Sequence, residues 1–295
     1  MEIDTRFPTR LNTASDAPEP LRSALMEDLP SGKPVRLLLH APAFETGEGT
    51  SPATVLAVTD TGWLVVSEAA SGGVAAEKSG FDDTLFLQLT PILLLDQLKI
   101  AFVATGTPRA VTMKFETVGD DLYREAIDLI LAGIDPALTA AAHEREQEAL
   151  RLEDWPLKIR NEAHRFWPKG QRLMTAIHWP AVFDGSRQQL APAGALLITE
   201  RELVIISDER KPLTEVAPAE EVEESFAGIV TFIPRARLAE YRVSHQQQSG
   251  VLVLQVKAAH GGEQLEVAFP SDEEETVSRA MRQMLQSRDS AEPTR

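Results

Sequence analysis

The 295-residue chain contains no cysteine, which excludes disulfides, thiolate metal ligands and a cysteine nucleophile. It also lacks long apolar runs. Runs such as "ILLL" at 92 to 95 and "VLVL" at 251 to 254 fall far short of the roughly 20 residues a membrane-spanning helix needs. The N-terminal stretch "MEIDTRFPTRLNTASDAPEP" has no basic head followed by an apolar segment, the pattern of a secretory signal. Cytoplasmic residence is therefore expected. Histidine is scarce: His40, His143, His164, His178, His245 and His260 are the full set, and no two stand at metal-binding spacing on a helix or strand. Gly-rich phosphate loops, the dinucleotide fingerprint, the nucleophile elbow and the zinc-protease His-Glu-x-x-His are missing as well. These absences argue for a non-catalytic protein with no cofactor and no metal site.

Positive charge is the other shortage, with 29 Lys and Arg against 45 Asp and Glu and a net charge of −16. Nucleic acids and anionic membranes are bound through basic clusters, so another protein is the expected partner and neither of these is. Self-association is left open. The deficit is uneven: residues 1 to 136 carry 10 basic against 20 acidic side chains, and residues 157 to 295 carry 17 against 20. Any anion-binding surface is therefore expected in the second half.

What the sequence does contain is an internal repeat, the first thing to test for in a chain of this length. "LHAPAF" at 39 to 44 returns as "IHWPAVF" at 177 to 183. A shift of 138 places Pro30, Gly32, His40, Pro42 and Ala43 on Pro168, Gly170, His178, Pro180 and Ala181. A shift of 140 lays "PATVLAVTDTGWLVVSE" (52 to 68) on "PAGALLITERELVIISD" (192 to 208). "PILLLDQLKI" (91 to 100) matches "PRARLAEYRV" (234 to 243) at 143, and the C-terminal stretches match at 154. Shifts that only grow along the chain are the mark of one duplicated unit with insertions in its second copy.

Each copy opens on a short helix, Leu21 to Leu29 or Ile159 to Trp167, followed by an apolar strand ending at the His-x-Pro cassette. A hairpin over "TDTG" or "TERE" follows. The last strand of each copy alternates strictly, with Val111, Met113 and Phe115 in one and Leu265, Val267 and Phe269 in the other, which predicts a buried face. The closing helix carries one apolar stripe: Tyr123, Ala126, Ile127, Ile130 and Leu131, or Val277, Ala280, Met281, Met284 and Leu285. Thr117 with Asp120, and Ser271 with Glu274, stand at capping-box spacing, and the acids after them suit a helix N-terminus. Between the copies, 135 to 156 reads as a polar connecting helix. The expected organisation is a flexible tail over 1–19, units over 20–134 and 157–286, the connector over 135–156 and a second tail over 287–295.

This strand–hairpin–helix unit resembles the pleckstrin-homology-like superfamily, particularly its bacterial and GRAM-like members. The resemblance rests on Leu196, Thr199, Arg201, Leu203, Ile233 and Pro234, with Leu56, Thr59, Trp63 and Pro91 in copy one. It covers most of the chain and implies an α+β, mainly β fold: two tandem antiparallel β-barrels, each plugged by its C-terminal helix and joined by a helical linker. Copy one has fewer residues after its Pro91 strand than copy two, where "GVLVLQVKAAHGG" is inserted, and this leaves open a missing or merged strand in copy one. Phosphoinositide-binding members carry several basic residues in the loop joining their first two strands. Here that loop is "ETGEGTS" in copy one, with none, and "DGSRQQLA" in copy two, with Arg187 alone. Lipid headgroup or anionic-ligand binding is thus the alternative to a protein partner.

Candidate binding residues are few. Arg235, Arg237 and Arg242 in "RARLAEYR" form the densest basic group; if they sit on a strand, 235 and 237 share a face, within reach of the acidic insertion "EVAPAEEVEES". His40 and His178, at strand ends, would present imidazoles at the barrel mouth; the simpler reading is that each ends a strand whose pairing the following proline stops. Asp82 and Asp83 are the carboxylates an enzyme reading would use. "HGGE" at 260 to 263 reads as a hairpin turn, and Trp155, Trp167 and Trp179 as aromatics holding the connector to the second unit.

Overall fold

A computed structural model describes residues 7–29, 34–46, 49–69, 72–92, 94–136, 152–167, 171–208, 228–246 and 249–289. Within these, the chain is mainly β with four α-helices, and its sheets are antiparallel. It divides into two compact units, Met1–Thr139 with Ala258–Gly261, and Ala140–Lys257 with Gly262–Arg295. No helix among the described residues is long and apolar enough to cross a membrane.

In unit 1 the strands β1 (Thr9–Arg10), β2 (Val35–Ala41), β5 (Thr54–Thr59), β6 (Gly62–Glu68) and β7 (Val74–Gly80) form one sheet in the order β1-β2-β5-β6-β7. A small hairpin, β3 (Phe44–Thr46) and β4 (Gly49–Ser51), sits between β2 and β5 in sequence. The strands β8 (Thr84–Ile92), β9 (Leu95–Ala104) and β10 (Thr107–Glu116) form a meander. The β9–β10 turn is Thr105-Gly106, with φ of 50° and 78°, a left-handed pair that suits a two-residue hairpin. One face of the first sheet, Leu38, Val55, Ala57, Leu64 and Val66, is covered by helix α1 (Leu21–Asp28) through Leu21 and Leu25. Helix α2 (Asp120–Ile134) touches β2, β5 and β6. Its Tyr123 ring stacks on Phe115 of β10, with centroids 3.5 Å apart. The predicted stripe of α2 is buried throughout. Met113 and Phe115 are fully buried, with Val111 half-buried.

Unit 2 repeats the plan. The strands β11 (Leu173–Trp179), β14 (Gly194–Thr199), β15 (Glu202–Asp208) and β16 (Gly228–Pro234) pair in the order β16-β15-β14-β11. The short β12 (Val182–Phe183) and β13 (Gln189–Ala191) form a hairpin, and β17 (Leu238–Gln246), β18 (Ser249–Ala258) and β19 (Gly261–Pro270) the meander. Helix α3 (Leu157–Arg165) packs on β14 and β15, and α4 (Glu274–Asp289) on β11 and β17.

Four sequence expectations are corrected. First, both units have a three-stranded meander: β8, β9 and β10 coincide with β17, β18 and β19 at a single shift of 154, as do β7 with β16 and α2 with α4. The 143 match was a false register, and "GVLVLQVKA" is β18 itself, the counterpart of β9. All the extra length of copy two after the first hairpin therefore falls between β15 and β16. Second, the first 19 residues are not all tail: β1 pairs its Thr9 and Arg10 with His40 and Leu39, and Leu11 and Ala17 are buried against the α1 face. These apolar anchors hold a segment whose composition reads as polar. Third, Thr117 and Ser271 do not cap the helices directly. Each opens a single 3₁₀ turn, Thr117–Gly119 or Ser271–Glu273, and the α-helices start at Asp120 and Glu274. Fourth, α4 runs to Asp289, past the expected boundary at 286. Most of the connector, 137–151, the insertion at 209–227 and the terminal 290–295 lie outside the described residues.

Candidate functional site

The basic group of unit 2 is not laid out on a strand. Ile233 and Pro234 close β16, Arg235–Arg237 make a 3₁₀ turn, and β17 begins at Leu238. Arg235 and Arg237 therefore do not alternate along one strand face, which corrects the expected patch. The turn coincides at shift 154 with Phe81–Asp83 in unit 1, so it belongs to the shared frame. The Arg235 guanidinium donates to the carbonyls of Glu200 (3.0 Å), Thr199 (3.4 Å) and Met284, and approaches the Met174 sulfur at 3.3 Å. It thereby straps the β14–β15 turn and β11 to α4. Phe81 does the equivalent work in unit 1 by packing on Gly133 of α2, where an added Cβ would come within 2.3 Å of the ring.

The remaining candidate arginines are dispersed. Arg237 is half-buried in the same turn, and Arg242 is exposed on β17, 3.5 Å from the Gln264 side chain. Arg187 is exposed in the β12–β13 loop, with φ of 66°. That loop is organised by Asp184, whose carboxylate accepts from the Ser186 hydroxyl (2.7 Å) and from the Ser186 and Gln188 amides (2.8 Å each). The Ser186 hydroxyl, then the Gln188 amide, holds the Asp184 carboxyl below its ordinary range. The acidic insertion proposed to meet these arginines lies outside the described residues.

A charged pair that sequence reasoning did not pick out lies under the β14–β15 turn. Arg201 and Glu202 approach to 3.6 Å with side chains 9% and 2% exposed. The Thr199 hydroxyl accepts from the Arg201 amide at 3.2 Å and the Glu202 amide at 2.9 Å. Thr59 closes the corresponding unit 1 turn, donating to the Gly62 carbonyl at 3.0 Å. The Leu-x-x-Thr signature thus encodes a self-closing hairpin. Such side-chain bonds to nearby backbone are a turn device.

The two cassette histidines part company. Both are the penultimate residue of their strand, β2 or β11. His40 is 3% exposed, and its Nε2 has no hydrogen-bond partner. Burial pushes the imidazole below its ordinary 6.5, and the Glu68 carboxylate offsets only part of this. His178 is half-buried and stacks on Trp155, with centroids 4.9 Å apart. Because native His40 resists protonation and the unfolded side chain does not, unit 1 keeps its stability above about pH 6.5 and loses it as pH falls through the lowered native value. His40→Gln is expected to flatten that loss in denaturant titrations run from neutral to acid pH. Equal pH slopes in the two proteins would disprove the assignment.

The tryptophans serve unit 2 itself: Trp167 and Trp179 are buried, and the Trp179 indole donates to the Pro192 carbonyl at 3.1 Å. Most of the connector they were expected to hold, 137–151, is outside the described residues; at its C-terminal end Trp155 stacks on His178 of β11. Asp82 and Asp83 lie in the Phe81–Asp83 turn, one exposed and one half-buried. On α3, burial raises the Glu162 carboxyl; Lys158, which bridges to Asp208 at 2.6 Å, opposes the shift. Among the described residues no group of three or more His, Cys, Asp or Glu side chains is placed to hold a metal ion. No family model matches the chain, and no curated protein is similar to it.

Proposed function

We propose that the chain is a non-catalytic tandem pleckstrin-homology-like module that works by contacting another protein. In this reading each unit is a pair of antiparallel sheets plugged by its C-terminal helix. The observation that carries it is the use made of Arg235. Arg235, the first residue of the densest basic group, donates to carbonyls of its own unit. Binding a multiply phosphorylated headgroup draws on several cations converging in one place. Arg187 and Arg242 stand on separate loop and strand elements. The net charge of −16 further opposes an anionic surface.

The test is flotation with vesicles of phosphatidylcholine containing phosphatidylserine and a phosphoinositide. The chain is expected to stay at the bottom of the gradient. Flotation that Arg187→Glu with Arg242→Glu abolishes would replace this reading with the lipid-binding alternative. Both side chains are exposed, so those changes leave the folded units intact.

A further inference from the structure

We infer that the tip formed by Ile92, Leu94 and Val118 in unit 1 docks a basic, amphipathic segment of a partner protein, an inference that rests on the protein-contact reading above. Leu94 is 81% exposed, Val118 75% and Ile92 42%. They come from two places in the chain, the β8–β9 turn and the 3₁₀ turn entering α2. The Thr117 amide ties those turns together by donating to the Leu94 carbonyl at 3.0 Å. Pro8 packs against Gly119 of the second turn, which brings the N-terminal segment alongside. Large apolar side chains grouped in the open are a mark of an interaction surface.

The duplication supplies an internal control. At shift 154, Ile92, Leu94 and Val118 correspond to Gln246, Gln248 and Asp272. The strands on either side and the helix recur in unit 2, where the sequence is polar at all three places. The repeated frame is thus written with polar residues at these places in unit 2, and the exposed apolar residues of unit 1 are left for a partner to use.

Charge selects the kind of partner. Residues 91–92, 94–97 and 116–122, the described stretches around the tip, contain Asp96, Glu116, Asp120 and Asp121 and no Lys or Arg. Asp121 is exposed and Glu116 and Asp120 are half-buried, so these three make the rim, whereas Asp96 is buried. An anionic bilayer would be repelled, and a second copy would bring like charges together. A segment with two or three apolar side chains flanked by Lys or Arg satisfies both the apolar tip and its acidic rim.

The experiment is selection of a displayed random-peptide library on the full chain, counter-selected on the Leu94→Gln, Val118→Asp variant, which installs the residues of unit 2. Enriched peptides are expected to combine Leu, Ile, Phe or Trp with Lys or Arg, and to bind the parent chain about tenfold or more tightly than the variant. Their affinity is expected to fall as salt is raised. Melting curves should show the variant as stable as the parent, and single Leu94→Gln provides a milder second test. Peptides that bind parent and variant equally, or that lack basic residues, overturn this site while leaving the protein-contact reading standing. A dimer of the parent that the variant dissolves would overturn it in favour of a second copy. Vesicle flotation by the parent would overturn the underlying reading itself.

Discussion

Tyr123→Ala is expected to destabilise unit 1 by about 3–5 kcal/mol, the usual cost of emptying a buried aromatic site. Tyr123 is fully buried on α2, its ring stacked nearly parallel to Phe115 at an interplanar angle of 9°. It is the aromatic contact by which α2 reaches β10, while the rest of the helix stripe rests on β2, β5 and β6. Alanine removes that contact and leaves a cavity between helix and meander. The hydroxyl, by contrast, carries little of the binding. It is buried without an aligned hydrogen-bond partner, as is the nearby Thr54 hydroxyl. Burial pushes the phenol above its ordinary range, and Thr54 offsets this only in part. Tyr123→Phe is therefore expected to be neutral or slightly stabilising, because removing an unsatisfied buried polar group relieves its desolvation cost. Hydrogen exchange of the α2 amides separates the two variants: fast exchange in Tyr123→Ala and near-parental protection in Tyr123→Phe. A loss below about 1 kcal/mol in the alanine variant would show that α2 does not depend on this contact.

The repeat was legible where the two copies kept their core spacing. His40 and His178 end matching strands, and the hairpins around Thr59 and Thr199 close on themselves in the same way, so polar turn residues and flanking apolar runs survived together. The helix stripes were legible for the same reason: burial fixes their period. The register of the meander was not. Its β8–β9 turn is apolar in one copy and polar in the other, and its strands share almost no residues; Leu98 and Leu252, and Phe115 and Phe269, are among the few identities at the true shift. Proline compounded the error, since Pro91 lies near the end of β8 and Pro234 at the end of β16, so aligning them slid one copy along the other. The pairing of Thr9 and Arg10 with β2 was hidden because two strand residues in a Pro-, Ser- and acid-rich segment carry no periodicity to read. The apolar tip was visible only as a short hydrophobic run, and short apolar runs are most often core. Its exposure depends on a fold that puts the turn outside.

Arg235→Ala is expected to destabilise unit 2 by about 2–4 kcal/mol, on the basis that a charge-assisted hydrogen bond contributes roughly 1.5–3 kcal/mol and that its loss strands buried acceptors. The half-buried guanidinium reaches carbonyls at both ends of the unit, in the β14–β15 turn and on α4. A planar fork can serve those diverging acceptors together, and a lysine ammonium cannot. Arg235→Lys is accordingly expected to recover less than half of the loss. Arg235→Phe copies the residue of unit 1, where Phe81 fits because Gly133 leaves room for the ring. Phenylalanine brings the ring but none of the donors, so in unit 2 it is expected to leave the carbonyl bonds unmade and to recover little of the loss. Arg242→Ala, on an exposed side chain, is expected to change stability by no more than about 0.5 kcal/mol. Three of the four tryptophans, Trp155, Trp167 and Trp179, lie in unit 2, so their fluorescence in a denaturant titration reports its unfolding. If Arg235→Ala and Arg242→Ala behave alike there, Arg235 is not a strap, and its donors become available to a ligand after all.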